Sequence, residues 1–176
     1  MISIGKNKSW QPILHIQIHI LANLIIYFTK MSGFKKEVQI RWSDLDPNVH
    51  LRHSVYYDWG ALCRIEFFYE HGLTAHMMHE LKIGPILFRE ECIFRKEIHL
   101  GDKVEIEFRV AKARRDYSRW TIEHDITKDA GVLAARLTVD GAWLNIQERK
   151  LAKTLPPEVL AVFEKAPLSE NFQWMD

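Results

Sequence analysis

"SDLDPNVHLRHSVYYDWGALCRIEFFYE", Ser43 to Glu70, decides how this chain folds. Its second half reads as a helix from Val55 to Glu70, with Val55, Trp59, Leu62, Cys63, Ile65, Phe67 and Phe68 spread almost all round it. A helix that apolar belongs inside a core. Asp58, Glu66 and Glu70 share one narrow face, Ser54 is placed to cap the first turn, and Gly72 is placed to end the last. The first half is polar. Between Ser43 and Trp59 lie Asp44, Asp46, Asp58, Asn48, His50, His53 and Arg52.

Outward from this junction the pattern is that of strands. Val38, Ile40 and Trp42 alternate with Gln39 and Arg41 before it. After Gly84-Pro85 come "ILFREECIFRKEI", then Val104, Ile106, Phe108 and Val110 alternating with charges, then Trp120, Ile122, His124 and Ile126, and a last strand over Val132 to Ile146. "LGD" (Leu100 to Asp102) and "KDAG" (Lys128 to Gly131) read as turns, and Pro156-Pro157 opens a short closing helix. One helix apolar on most sides needs a sheet to wrap it. The expected class is therefore α+β, with one sheet face on the helix and the other partly exposed or covered by another subunit.

The length of 176 residues and 47% hydrophobic content suit one domain with a real core. A net charge of +1 gives no reason to expect a nucleic-acid partner. Cys63 and Cys92 form no CxxC, so a disulfide scaffold is not expected and a reducing, cytoplasmic compartment fits. "PILHIQIHILANLIIYF", Pro12 to Phe28, approaches the length of a bilayer span but carries His15, Gln17, His19 and Asn23, which are costly in lipid. Met31 opens "MSGFKKEVQI" like an ordinary start. The expected organisation is an N-terminal extension over 1–30, favoured over a membrane anchor, then a working domain over 31–165 and a tail over 166–176.

A helix N-terminus offers unpaired N–H groups and partial positive charge, which bind an anion or polarise a carbonyl. Carboxylates at Asp44 and Asp46, an amide at Asn48 and imidazoles at His50 and His53 precede it. Such parts suit acyl transfer or hydrolysis. A GxSxG elbow and the glycines of a phosphate loop are both missing.

"DLDPNVHLRHSVYYDW" resembles the signature of hotdog-fold acyl-CoA thioesterases, the 4-hydroxybenzoyl-CoA thioesterase-like group, over Phe34 to about Phe163. The resemblance implies a hotdog fold, a curved antiparallel sheet of about five strands round one long buried helix. It implies Asp46 as general base or nucleophile, His53 where the bacterial branch has a His, and Tyr56 in the first helical turn. "DPNVH" also resembles the D-x-N-x-H of plant acyl-carrier-protein thioesterases, implying Asn48 and His50, with Glu90 or Glu91 as an assisting acid. Many relatives have Gly before that His, and Val49 stands here. The thioester carbonyl would meet N–H groups near Ser54, Val55 and Tyr56. Arg114, Arg115 and Arg119 in "KARRDYSR" are candidates for the nucleotide phosphates of CoA. A homodimer or homotetramer with sites at the subunit interface is implied; no cofactor and no metal are.

Each residue also has a plainer reading. Asp44 and Asp46 suit Asx-turns, Asn48 a turn, and His50 and His53 loop packing. Tyr56 suits the core, the arginines a charged hairpin edge, and the pair in "HMMHE" (His76 to Glu80) a solvated helix face. The rival functions are a thioesterase acting on acyl-carrier protein and an acyl-binding module without turnover.

Overall fold

A computed structural model describes residues 33–176, and the expectations for residues 1–30 lie outside them. Helix α1 spans His53–Glu70 and buries Val55 and Tyr56, Trp59 and Gly60, Cys63 and Arg64, Phe67 and Phe68. These pairs recur every four residues, which draws one broad stripe along the helix. Leu62 and Tyr69 fall off the stripe and are exposed, so the helix is buried on one side rather than all round. It starts two residues earlier than expected, with Arg52 at the N-cap and no side chain capping it. Ser54 therefore lies inside the first turn and is not the cap. At the far end Gly72 takes φ +92°, a backbone that suits glycine.

The sheet is built from β1 (Phe34–Val38), β2 (Ile83–Phe94), β3 (Val104–Arg114), β4 (Arg119–Lys128) and β5 (Val132–Asn145), in the order β1-β3-β4-β5-β2. These neighbours all run antiparallel. The expected alternation holds on β3 and β4: Val104, Ile106, Phe108, Val110, Trp120, Ile122, His124 and Ile126 all face the core. Register shifts between Leu87 and Arg89, Val110 and Lys112, and Ile126 and Thr127 bend the strands, which curls the sheet round α1. Phe67 on the helix stacks on Phe108 of β3, ring centroids 4.4 Å apart, and meets Phe34 edge-on at 5.3 Å.

Two short elements flank this frame. Helix α2 (Ala75–Glu80) is capped by the Thr74 hydroxyl, which accepts from the N–H of Met77, and β6 (Lys150–Leu151) pairs with β5. Helix α3 (Pro157–Glu164) plugs one end of the curl with Phe163, which packs on Phe68, Trp120 and Trp143. The C-terminal stretch, expected to trail as a tail, instead forms β7 (Leu168–Met175), parallel to the second half of β3. Tyr117 and Phe172 both pack on Trp174 of this strand. No helix among the described residues is long and apolar enough to cross a membrane.

Candidate active site

The loop from Trp42 to Arg52 folds back on itself. A 3-10 turn over Trp42–Asp44 is closed by the Asp44 carboxylate, whose Oδ2 accepts the N–H of Arg41 at 2.8 Å. Leu45 and Leu51 then pair, and a turn joins them: the N–H of Val49 donates to the carbonyl of Asp46 at 2.9 Å, and the N–H of Asp46 to the carbonyl of His50 at 2.8 Å. Oδ1 of Asp46 accepts the N–H of Asn48 at 2.8 Å and that of His50 at 3.1 Å. Pro47 presets the first corner, and Val49 takes φ +65°. Glycine is the usual residue at that left-handed position. The loop therefore keeps the path a glycine would give, with a β-branched residue held in it.

The N–H of Leu51 donates to the carbonyl of Ile98, and that of Arg52 to the carbonyl of Asp44. These bonds set the loop against the first turn of α1 and against the chain between β2 and β3. A cleft of about 390 Å³ opens there. Asp46, His50, Leu51, His53 and Tyr56 line one wall, and Phe94, Arg95, Lys96 and Glu97 the other. Tyr56 packs edge-on against Phe94 at 5.0 Å, and burial pushes its phenol up to about 12, so the hydroxyl stays neutral. No acidic side chain occupies the first turn of α1. Asp46 and the positive end of the helix thus share one cleft.

Of the residues expected from sequence, Asp46, His50, His53 and Tyr56 come together. Asn48 sits in the exposed turn and contributes its backbone to Asp46. Ser54 is half-buried and Val55 fully buried. Val55 faces a separate cleft of about 280 Å³, which Asp44, Lys36, Asp58, Cys63 and Glu66 also line. The two carboxylates of D-x-D therefore face different clefts. Cys63 offers no nucleophile there, because burial pushes its thiol up to about 12.

Glu90 is engaged elsewhere: its Oε1 accepts from Arg64 Nη2 at 3.2 Å. Nη1 of the same guanidinium lies 3.3 Å from Nε2 of the fully buried His124, whose Nδ1 is 3.1 Å from the Glu107 carbonyl. A carbonyl only accepts, so Nδ1 carries the proton and Nε2 accepts from Arg64. This chain ties α1 to β2, β3 and β4, and burial holds the imidazole neutral, its pKa lowered to about 3. Glu91 pairs with Arg89 on the surface. Arg114 ends the eleven-residue β3, about 33 Å along the strand from its start at about 3.3 Å per residue, and Arg115 follows in the turn, whereas Phe94 of the cleft registers through Ala135 and Ile126 with Ile106 near that start. Arg119, on the same hairpin, lies over the Phe88 ring.

Sequence reading missed Arg95, Lys96, Glu97 and His99 beside the loop, and Arg64 in the core. His50 meets His99 edge-on at 4.8 Å, and its Nε2 lies 3.5 Å from Glu97 Oε2. The one local signal was the alternation Glu97-Ile98-His99 round a buried Ile98.

The model of the thioesterase-like superfamily matches residues 40–163, from just before the loop to the end of α3. The chain belongs to the thioesterase-like superfamily. Solved structures share its hotdog fold. A Staphylococcus aureus hypothetical protein in complex with CoA aligns with TM-score 0.71 at 20% identity, over 83% of this chain and 91% of that one. A Thermus thermophilus thioesterase complexed with coenzyme A and zinc aligns with TM-score 0.61 at 28% identity, over 77% and 94%. A Synechocystis 1,4-dihydroxy-2-naphthoyl-CoA thioesterase aligns with TM-score 0.65 at 16% identity, over 74% and 95%. No curated protein matches.

Proposed function

We propose that the chain hydrolyses acyl-CoA thioesters to the free acid and CoA. The observation that carries this is the placing of the Asp46 carboxylate in one cleft with the uncapped first turn of α1. Superfamily membership and the CoA complexes of similar folds support thioester hydrolysis as the reaction class. Oδ1 of Asp46 is committed to the turn, which leaves Oδ2 for chemistry. It takes a proton from water as the water attacks the carbonyl carbon, or itself attacks to form an anhydride that water then opens. The oxygen that becomes negative is met by N–H groups of the first helical turn. The thiolate of CoA leaves without needing a strong acid. His50 and His53, in the same cleft, orient the carboxylate or the water. Arg95 and Lys96 on the rim meet the phosphates of the nucleotide. A nucleotide role for Arg114 and Arg115 would fall to a cleft other than their own.

A second copy completes the assembly in this reading. β2 pairs only with β5 among the described residues, and its free edge exposes Leu87, Phe88, Ile93 and Phe94. Cys63 and Cys92 are free thiols, which suits a reducing compartment such as the cytoplasm.

The test is thiol release from a panel of aliphatic and aromatic acyl-CoA substrates by the purified chain. Turnover of at least one CoA thioester is expected. Turnover only of acyl-carrier-protein thioesters, or acyl-CoA binding without turnover, would replace this reading with one of its rivals.

A further inference from the structure

Three side chains of the types that ligate metals, two imidazoles and a carboxylate, converge beside the cleft from two segments far apart in sequence. His50 comes from the loop before α1, and Glu97 and His99 from the connection between β2 and β3. Their donor atoms all lie within 4.8 Å of one another, and His50 Nε2 is 3.5 Å from Glu97 Oε2. The convergence is set by backbone. His50 and His99 form an antiparallel bridge, in which directly opposed side chains stand on the same face. Ile98 is fully buried, so its neighbours Glu97 and His99 both turn outward. Both ends of the bridge are braced: the N–H of His50 donates to Asp46 Oδ1 at 3.1 Å, and that of His99 to Asp102 Oδ2 at 2.9 Å. Lys128 holds Asp102 in turn at 2.9 Å.

We infer that His50, Glu97 and His99 form a binding site for a divalent transition-metal ion of the zinc type. The donor set decides the class. Two imidazoles and one carboxylate suit zinc, cobalt or nickel, whereas magnesium and calcium ask for oxygen throughout. Ligands around one tetrahedral zinc at about 2.0 Å stand about 3.3 Å apart, so the 3.5 Å pair is already at that spacing. Glu97 and His99 are exposed, and rotation about their side-chain bonds closes the remaining gap. Three protein ligands leave a fourth position for water or another small ligand. His50 and Glu97 also line the cleft that holds Asp46, so the ion would sit at its mouth. This site stands on donor geometry and does not depend on the thioester reading.

The test is zinc binding by the full chain, untagged and stripped with a chelator, measured by equilibrium dialysis with zinc alone. One tightly held ion per chain is expected, and cobalt in its place should give the intense visible bands of a four-coordinate centre. Glu97→Gln and His99→Ala should each weaken binding by tenfold or more, while His76→Ala, on the exposed face of α2, should leave it unchanged. Glu97 is a surface side chain, so its variant will fold even if the His99 variant does not. Absence of zinc binding, binding unaltered in Glu97→Gln, loss of binding in His76→Ala, or a pale six-coordinate cobalt spectrum would each overturn the site.

Discussion

Asp46 Oδ1 accepts the backbone N–H of His50 across 3.1 Å, inside a turn of only a few residues. The same oxygen accepts from Asn48 at 2.8 Å. The plain reading of Asp46 as a turn residue and the catalytic reading are therefore both served by one side chain, through different oxygens. Asn keeps the acceptor that holds the turn but has no basic oxygen. Asp46→Asn should lower thioester hydrolysis by about 100-fold or more while the melting temperature changes little. Asp46→Ala should lose activity and also melt earlier, because two N–H groups lose their acceptor. Steady-state rates and thermal melts of both variants check this; an active Asp46→Asn enzyme would remove Asp46 from the chemistry.

Arg95 and Lys96 lie on the cleft rim and are both exposed. Charges there gain affinity for phosphate more than they lower the barrier. The double change Arg95→Ala and Lys96→Ala should raise KM for acyl-CoA by about tenfold, equivalent to about 1.4 kcal/mol, with kcat nearly constant. A short thioester lacking the nucleotide should show no such change. Equal losses on both substrates would mean that the two side chains do not meet the nucleotide.

Val49 takes φ +65° in an exposed corner, where a β-branched side chain crowds its own backbone. That conformation costs roughly 1–2 kcal/mol, and glycine avoids it while losing about 0.5–1 kcal/mol of chain entropy. Val49→Gly should therefore stabilise the fold by up to about 1.5 kcal/mol. Denaturant midpoints of the two proteins measure the difference, and a lower midpoint in the variant would mean that the loop carries no such strain.

His124 is fully buried, and burial first, then the charge of Arg64, lowers its pKa to about 3. In the unfolded chain the imidazole titrates near its ordinary value of about 6.5. Between these values only the unfolded state binds the proton, so stability falls as pH drops from about 6.5 toward 3 and is flat above that window. The slope from this one group is about 1.4 kcal/mol per pH unit, or roughly 2 kcal/mol between pH 7 and pH 5. His124→Gln keeps an acceptor for Arg64 and cannot titrate. Its stability should depend less on pH over that range than that of the parent, as read from urea midpoints at both values. Equal dependence would show that His124 is not the responsible group.

Much of the frame was legible because it is local. Alternation on β3 and β4 put Phe108, Trp120 and even His124 on the buried face, since side chains on a strand repeat every two residues. The helix was legible too, but its phase was not: an apolar Leu62 turned outward and a charged Arg64 turned inward. Composition alone does not say which side a helix presents. Nothing near Phe172 or Trp174 announced a strand, because β7 exists only through its pairing with β3.

The sequence by itself determined the turn that holds Asp46, the apolar helix behind it and the strands that wrap it, since each rests on residues within a few positions of one another. Only the tertiary structure decided what stands beside what. It sent Asp44 and Asp46 to different clefts, gave Glu90 to Arg64, and brought Glu97 and His99 to His50. Arg64 finds His124 sixty positions away along the chain. Strand register and helix phase make such meetings, and they are set by how the whole core packs rather than by any short stretch of residues.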